Sequence, residues 1–264
     1  MNFSPVVPFG GYLGWTFLKR TQDRQVQTMQ ADPVYKRDEA YFRDKIKSVK
    51  TAEQLVSDRR LLKVALGAYG LDGDINNRAF LQKVLEGGTL KPEALANKLA
   101  DKRYLEFSAA FGFGDFSVPS TQLSDFADKI LARYKDRQFE IAVGQRSDAM
   151  RLALNAGREI KSLAEKNTTE DAKWFTIMGS APLRKVFETA LNLPSSFASV
   201  DIDQQIAVFK NRAERAFGSE GVSQFTDPAK REALVRRFLT LAEQGGPQPA
   251  GSAALQLLQA GRWR

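Results

Sequence analysis

The sequence predicts an all-α protein, a multi-helix bundle with a long central helix and, if an internal echo is real, two helical lobes. From residue 33 onward apolar side chains recur three and four positions apart, the spacing of one helix face, and no segment sustains the period-two alternation of a half-buried strand. Helix punctuation falls between these periodic runs, with cap-forming residues before them and glycines after them. A chain of 264 residues with 43% hydrophobic content is long enough for one large core or two smaller ones.

Residues 1–32 read as an extended arm. Pro5, Pro8, Gly10, Gly11 and Gly14 argue against a regular helix before Trp15, because proline removes a backbone donor and glycine costs entropy in a helix. The helical domain is expected over 33–244. Thr51 and Gln54 have capping-box spacing ahead of Leu55 and Val56. Leu61, Leu62, Ala65, Leu66 and Tyr69 line one face of the next helix, which Gly70 can end in a left-handed cap. Another helix runs over 77–85 to Gly87-Gly88, and Pro92 opens the segment carrying Leu95, Leu99, Tyr104 and Phe107. Beyond Pro119 at its start, residues 119–166 lie in a helical pattern without a further proline, one very long helix or two collinear ones, with Gly144 and the polar patch 145–148 as the place to bend or break. This helix would join lobes at 33–118 and 167–244. Further helices are expected over 174–178, 182–191, 202–217 and 228–242. Residues 245–251 have Gly/Pro linker composition, and 253–260 can form a short tail helix.

The echo sets Leu62-Lys63-Val64 on Arg184-Lys185-Val186, with Ala68 meeting Ala190 and Leu71 meeting Leu193. Duplication and chance likeness between two amphipathic helices both account for a match this short.

Composition excludes several chemistries. Without cysteine or histidine there are no disulfides, Cys/His zinc sites, thiol nucleophiles or imidazole bases. The net charge of +8 is compatible with nucleic acid, anionic lipid or an acidic protein face, but most basic residues alternate with acids, as solvated helix faces do. No apolar run approaches the ~20 residues needed to span a bilayer. Lys19 and Arg20 follow the N-terminal apolar run and no small-residue cleavage pattern is present, so no cleavable signal peptide is expected. Asp72-Gly73-Asp74-Ile75-Asn76 copies the start of an EF-hand loop, but Asn77 and Lys83 stand where glycine and glutamate are required, so a capping turn is the better reading. Gly112-Phe113-Gly114 lacks the third glycine and the preceding strand of a dinucleotide fingerprint. Tyr104, Phe107 and Phe111 share a helical stripe, which makes them core, not a stacking platform for bases. No catalytic residue, metal ligand or cofactor is expected.

Several blocks together carry a family resemblance: Ala40-Tyr41-Phe42 with Ile46, residues 51–71, 97–104, 137–144, 150–154, 174–179, 182–188 and 201–205. The chain resembles the DUF1217 family over nearly its whole length, apart from the extreme N-terminus and the tail after Ala242. Members of that family are alphaproteobacterial and often encoded beside flagellar genes, so the resemblance implies a motility-linked role, with a flagellar or motility protein as partner and no catalytic residues to carry over. Arginines such as Arg60, Arg103 and Arg184 have a structural use in pairing with helix carbonyls or carboxylates. The expectation is a non-catalytic interaction protein, accessory, chaperone-like or an assembly factor, resident in the cytoplasm or exported with the flagellum. Its two ends are the candidate partner-binding segments, through Phe9, Tyr12, Trp15 and Phe17 at one end and Leu255, Leu258 and Trp263 at the other. The alternative is a basic regulator that binds nucleic acid, although Arg231, Arg236 and Arg237 lack a recognisable turn before them.

Overall fold

The computed structural model describes residues 3–244; the linker, the tail helix and with them Leu255, Leu258 and Trp263 lie outside the described residues. Within that range the chain is all-α, with thirteen helices: α1 Gly11–Ala31, α2 Pro33–Lys45, α3 Ala52–Ser57, α4 Arg59–Tyr69, α5 Arg78–Gly87, α6 Leu95–Lys98, α7 Arg103–Phe111, α8 Phe126–Gly144, α9 Asp148–Ala164, α10 Glu170–Gly179, α11 Ala181–Ala190, α12 Ile202–Phe217 and α13 Pro228–Gln244. No strand occurs among the described residues. The helices form two compact units, the first from residues 20–145 with the N-terminal 3–6, the second from residue 146 onward with 7–19.

The reading of residues 1–32 as an extended arm is corrected. The extended arm reaches only to Gly10, after which α1 runs for 21 residues. The glycines that argued against it stand where a helix can use them. Gly11 sits at the start with φ +52°, which only glycine adopts cheaply. A Cβ on Gly14 would lie 2.0 Å from the Phe9 carbonyl oxygen and 2.4 Å from the Met150 methyl, so its bareness allows close packing that repays the entropy. The truly extended piece is clamped by Gln25, whose side-chain amide accepts from Val6 N at 2.8 Å and donates to Val6 O at 3.0 Å.

The region read as one very long helix or two is two, α8 and α9, broken at the expected place. The chain leaves helical geometry at the predicted polar patch, where Ser147 in extended backbone caps α9 by accepting from Met150 N. Consequently α8 belongs to the first unit and α9 to the second.

In the first unit, α4 packs on α8 and α2. Gly67 lets the Tyr134 ring approach to within 2.8 Å of where a Cβ would stand, and Tyr134 stacks on buried Tyr35 with centroids 5.7 Å apart. A chain of rings, Tyr69, Phe107, Phe111 and Phe126, continues this core at centroid spacings of 5.5, 5.0 and 5.1 Å. In the second unit, α11 packs on α9 and α13, and buried Trp174 stacks on Phe209 at 5.5 Å with its edge geometry completed by Phe187 at 5.4 Å.

The internal echo extends to backbone geometry. A single non-helical residue joins α3 to α4 and α10 to α11: Asp58 at φ −89°, ψ 100° and Ser180 at φ −99°, ψ 105°. Both second helices end in the same motif. Leu71 N donates to Leu66 O at 3.0 Å and Leu193 N to Glu188 O at 2.8 Å, around left-handed residues Gly70 (φ 68°) and Asn192 (φ 53°). A later arginine then serves a carbonyl at each helix end, Arg103 that of Gly70 and Arg237 that of Ala190.

Candidate interaction surface

The aromatic set predicted at the N-terminus is mostly spent inside its own unit. Trp15 is 4% exposed. Its indole N–H donates to Glu232 Oε1 at 3.0 Å, and the Tyr12 hydroxyl donates to the same oxygen at 2.8 Å. The Arg236 guanidinium donates to the Tyr12 hydroxyl and lies 4.6 Å from its ring centroid, a cation–π contact. Phe17 is half-buried, and of the four only Phe9 is largely exposed. Tyr12 and Trp15 therefore dock α1 onto α13 through polar groups that are engaged within the unit.

The arginines flagged by the sequence behave as pairing groups. Arg60 donates to Arg37 O and lies 3.9 Å over the Tyr41 ring, Arg103 holds Asp101, and Arg184 bridges Glu188 Oε1 and Gln205 Oε1 at 2.7 Å each. Phe107 and Phe111 are fully buried, so they offer no face to a base. Asp72–Asp74 forms a short 3-10 turn in which Asp74 accepts from the Asn77 amide and the Tyr104 hydroxyl. Among the described residues no three acids come together as a metal cluster, and no helix is long and apolar enough to cross a membrane.

One constellation has the composition of a Ser–Lys pair. Lys173 of α10 is buried, and its ammonium donates to Ala164 O at the end of α9, to Glu170 Oε1 and to the Ser223 hydroxyl oxygen, while that hydroxyl donates to Glu170 Oε1. The lysine nitrogen thus has three hydrogen-bond partners and closes a cluster with Ser223 and Glu170. Burial raises the Glu170 carboxyl, but the bonds from Ser223 and Lys173 outweigh it and hold the group below its ordinary range. This is a lock between helix ends.

The surface that the fold takes most care to present lies in the first unit, where the loop after α5 meets the loop after α7. The two cross backbone to backbone at glycines: a Cβ on Gly114 would stand 2.3 Å from Glu86 O and 2.4 Å from Gly88 N. Gly88 has φ +63°, and a Cβ there would strike Asp115 Oδ1 at 2.2 Å. Asp115 spans the crossing by accepting from Thr89 N at 2.6 Å, Thr89 Oγ1 at 2.8 Å and Leu90 N at 3.1 Å. Although partial burial pushes the Asp115 carboxyl up, these donors hold it below the usual aspartate value. Further along, Thr121 is buried with its hydroxyl on Val49 O, and the Gln122 amide donates to Lys47 O and Val49 O. These braced loops expose four large apolar side chains: Leu90 (70%), Phe116 (57%), Val118 (63%) and Leu123 (53%). An ordered loop pair with its apolar side chains in water is the form of a binding surface, because fixing it beforehand removes much of the ordering cost of association.

Sequence reasoning missed this surface. The signal was present in two glycine clusters, Gly87-Gly88 and Gly112-Phe113-Gly114, each followed by apolar residues in non-helical chain.

The comparisons with known proteins point one way. Residues 68–230 match the family model of DUF1217, a protein of unknown function. Protein AGR_C_984 from Agrobacterium tumefaciens, known from an X-ray crystal structure, is 25% identical, with the match covering 92% of this chain and 99% of that one at a TM-score of 0.75. No curated protein matches.

Proposed function

The chain belongs to the DUF1217 family, and from that premise we propose that it is a non-catalytic, motility-linked protein that binds a flagellar protein partner. The observation that carries the binding part is the braced loop pair holding Leu90, Phe116, Val118 and Leu123 in solvent. Two loop glycines, Gly88 and Gly114, and an aspartate with three donors brace the loops that carry these side chains, which contribute nothing to the core. The link to motility rests on the family setting that the sequence resemblance implies.

The test is an affinity pull-down from flagellated alphaproteobacterial cells with tagged full-length protein beside the Leu90→Asp/Phe116→Asp variant. Both substitutions fall on exposed positions, so helix content by circular dichroism should not change. Flagellar components enriched by the parent and lost with the variant support the proposal. Enrichment that survives the variant moves the surface elsewhere. Recovery of DNA and nucleoid proteins, with no flagellar component, sinks the reading in favour of a nucleic-acid-binding regulator.

A further inference from the structure

The braced loop pair of the first unit has an unbalanced charged border. A Cβ on Gly112 would stand 2.8 Å from the Phe116 ring and 3.3 Å from Ser120 Oγ, so the ring lies against the turn that leads into residues 120–123. There the side chains of Thr121 and Gln122 donate to Val49 O and Lys47 O, which fixes the segment 46–50 beside Leu123. Ile46 and Val49 of that segment are buried, whereas Lys47 and Lys50 are exposed. A basic edge therefore adjoins the four apolar side chains.

The acids that flank these segments are matched elsewhere: Asp44 by Lys45, Asp125 by Lys129 and Asp128 by Arg43. Glu53 stands in the first turn of α3, where the helix dipole favours its charge. Lys47 and Lys50 have no ion pair among the described residues. At the far border, exposed Lys91 and Glu93 beside Leu90 balance each other. Resting on the reading of this surface as the one that binds a partner, we propose that the partner presents an acidic amphipathic peptide segment. Its apolar side chains cover Leu90, Phe116, Val118 and Leu123, and carboxylates at one end of it meet Lys47 and Lys50.

The same balance of groups selects a peptide over an anionic membrane. Attraction to acidic lipid takes clusters of about four to eight basic residues, and the unmatched charge here is that of Lys47 and Lys50 at one edge. Burial of the apolar side chains supplies most of the affinity, because exposed ion pairs contribute little. The lysines act instead on encounter and on choice of partner: they draw an acidic segment in and turn a basic one away. Their position at one edge also sets the direction in which the segment lies, its acidic end beside Leu123 and its other end beside Leu90.

The probe is a library of random dodecapeptides displayed on phage, panned on full-length protein after depletion on the Leu90→Asp/Phe116→Asp variant. Selected peptides should carry apolar residues together with Asp or Glu and a net negative charge. In fluorescence polarisation at low salt, Lys47→Glu/Lys50→Glu, both exposed positions, should raise their Kd about ten-fold. The difference should shrink to about two-fold at roughly 500 mM salt, where screening acts within about 4 Å. Selected peptides that are neutral or basic, or that bind the lysine variant equally well, would overturn the acidic-partner inference and leave the loop surface standing as a binding site. A library that yields no peptide distinguishing the parent from the Leu90→Asp/Phe116→Asp variant would remove both. Vesicles of phosphatidylcholine with about 30% phosphatidylglycerol form the last arm. Sedimentation of the parent with them, lost on reversal of the lysines, would put a membrane on this surface and overturn the inference as well.

Discussion

The joint at Asp58 in the first unit and the joint at Ser180 in the second follow the same backbone path with different chemistry. In both, one extended residue links two helices, the second helix ends in the same pair of hydrogen bonds around a left-handed residue, and an arginine from a later helix serves a carbonyl at that end. The material around them differs. Where the first unit has the small buried Ala52, the corresponding position of the second holds Trp174, and the helix carrying it grows from 6 to 10 residues. Local caps and joints thus specify the path, while core filling is adjusted separately to the helices that pack around it. A cap satisfies backbone groups whatever lies beneath, whereas a core must match its own volume.

The largest break in that comparison is Trp174→Ala. The indole is fully buried, stacked on Phe209, and donates to Glu220 O at 3.0 Å, so truncation should cost about 3–5 kcal/mol. Urea unfolding followed by circular dichroism would show it. A cost near 1 kcal/mol would mean that the second core can collapse around the space. Next in size is the left-handed cap. At Gly70 an added Cβ carries the left-handed penalty and stands 2.9 Å from an Arg137 guanidinium nitrogen, so Gly70→Ala should cost roughly 1–2 kcal/mol. Asn192→Gly should stay within a few tenths, because asparagine already tolerates this conformation and gains little by relief. A comparable loss at both positions would show that the two caps are not equivalent.

What could be read beforehand and what could not divides along the same line. Thr51, Gly70 and the arginine pairings were legible because each depends on neighbours a few residues away or on a chemistry with few alternatives; Thr51 does accept from Gln54 N at 3.2 Å. The return bond differs in detail, since Gln54 Oε1 takes the Lys50 N–H in place of that of Thr51. The start of α1 was illegible because local glycine propensity favours an extended arm, and what overrides it is Met150, far along the chain, pressing on Gly14. The braced loops were hidden for a related reason. Gly88 and Gly114 explain each other only once they touch, and no spacing rule connects residues on two loops separated by two helices.

The smallest effects concern the joint residues and resolve the comparison most finely. The Asp58 carboxylate accepts from Arg60 N at 2.9 Å and Leu61 N at 3.0 Å, whereas Ser180 makes no side-chain cap. Asp58→Ala should therefore cost about 1 kcal/mol and Ser180→Ala almost nothing. Acid should separate the two joints further. Burial raises the Asp58 carboxyl, but the Tyr41 hydroxyl and the Leu61 and Arg60 amides outweigh it, so its folded value lies below its unfolded one. The stability it contributes is then complete above the ordinary aspartate value near 3.9 and declines as pH falls from there through the depressed folded value. Ser180 does not titrate in this range. Asp58→Asn keeps the capping oxygen and removes the titration, so the difference in melting temperature between native and variant protein should narrow from pH 6 to pH 3. A constant difference across that range would mean that the Asp58 charge is equally favoured in the unfolded chain, leaving the cap's contribution to hydrogen-bond geometry alone.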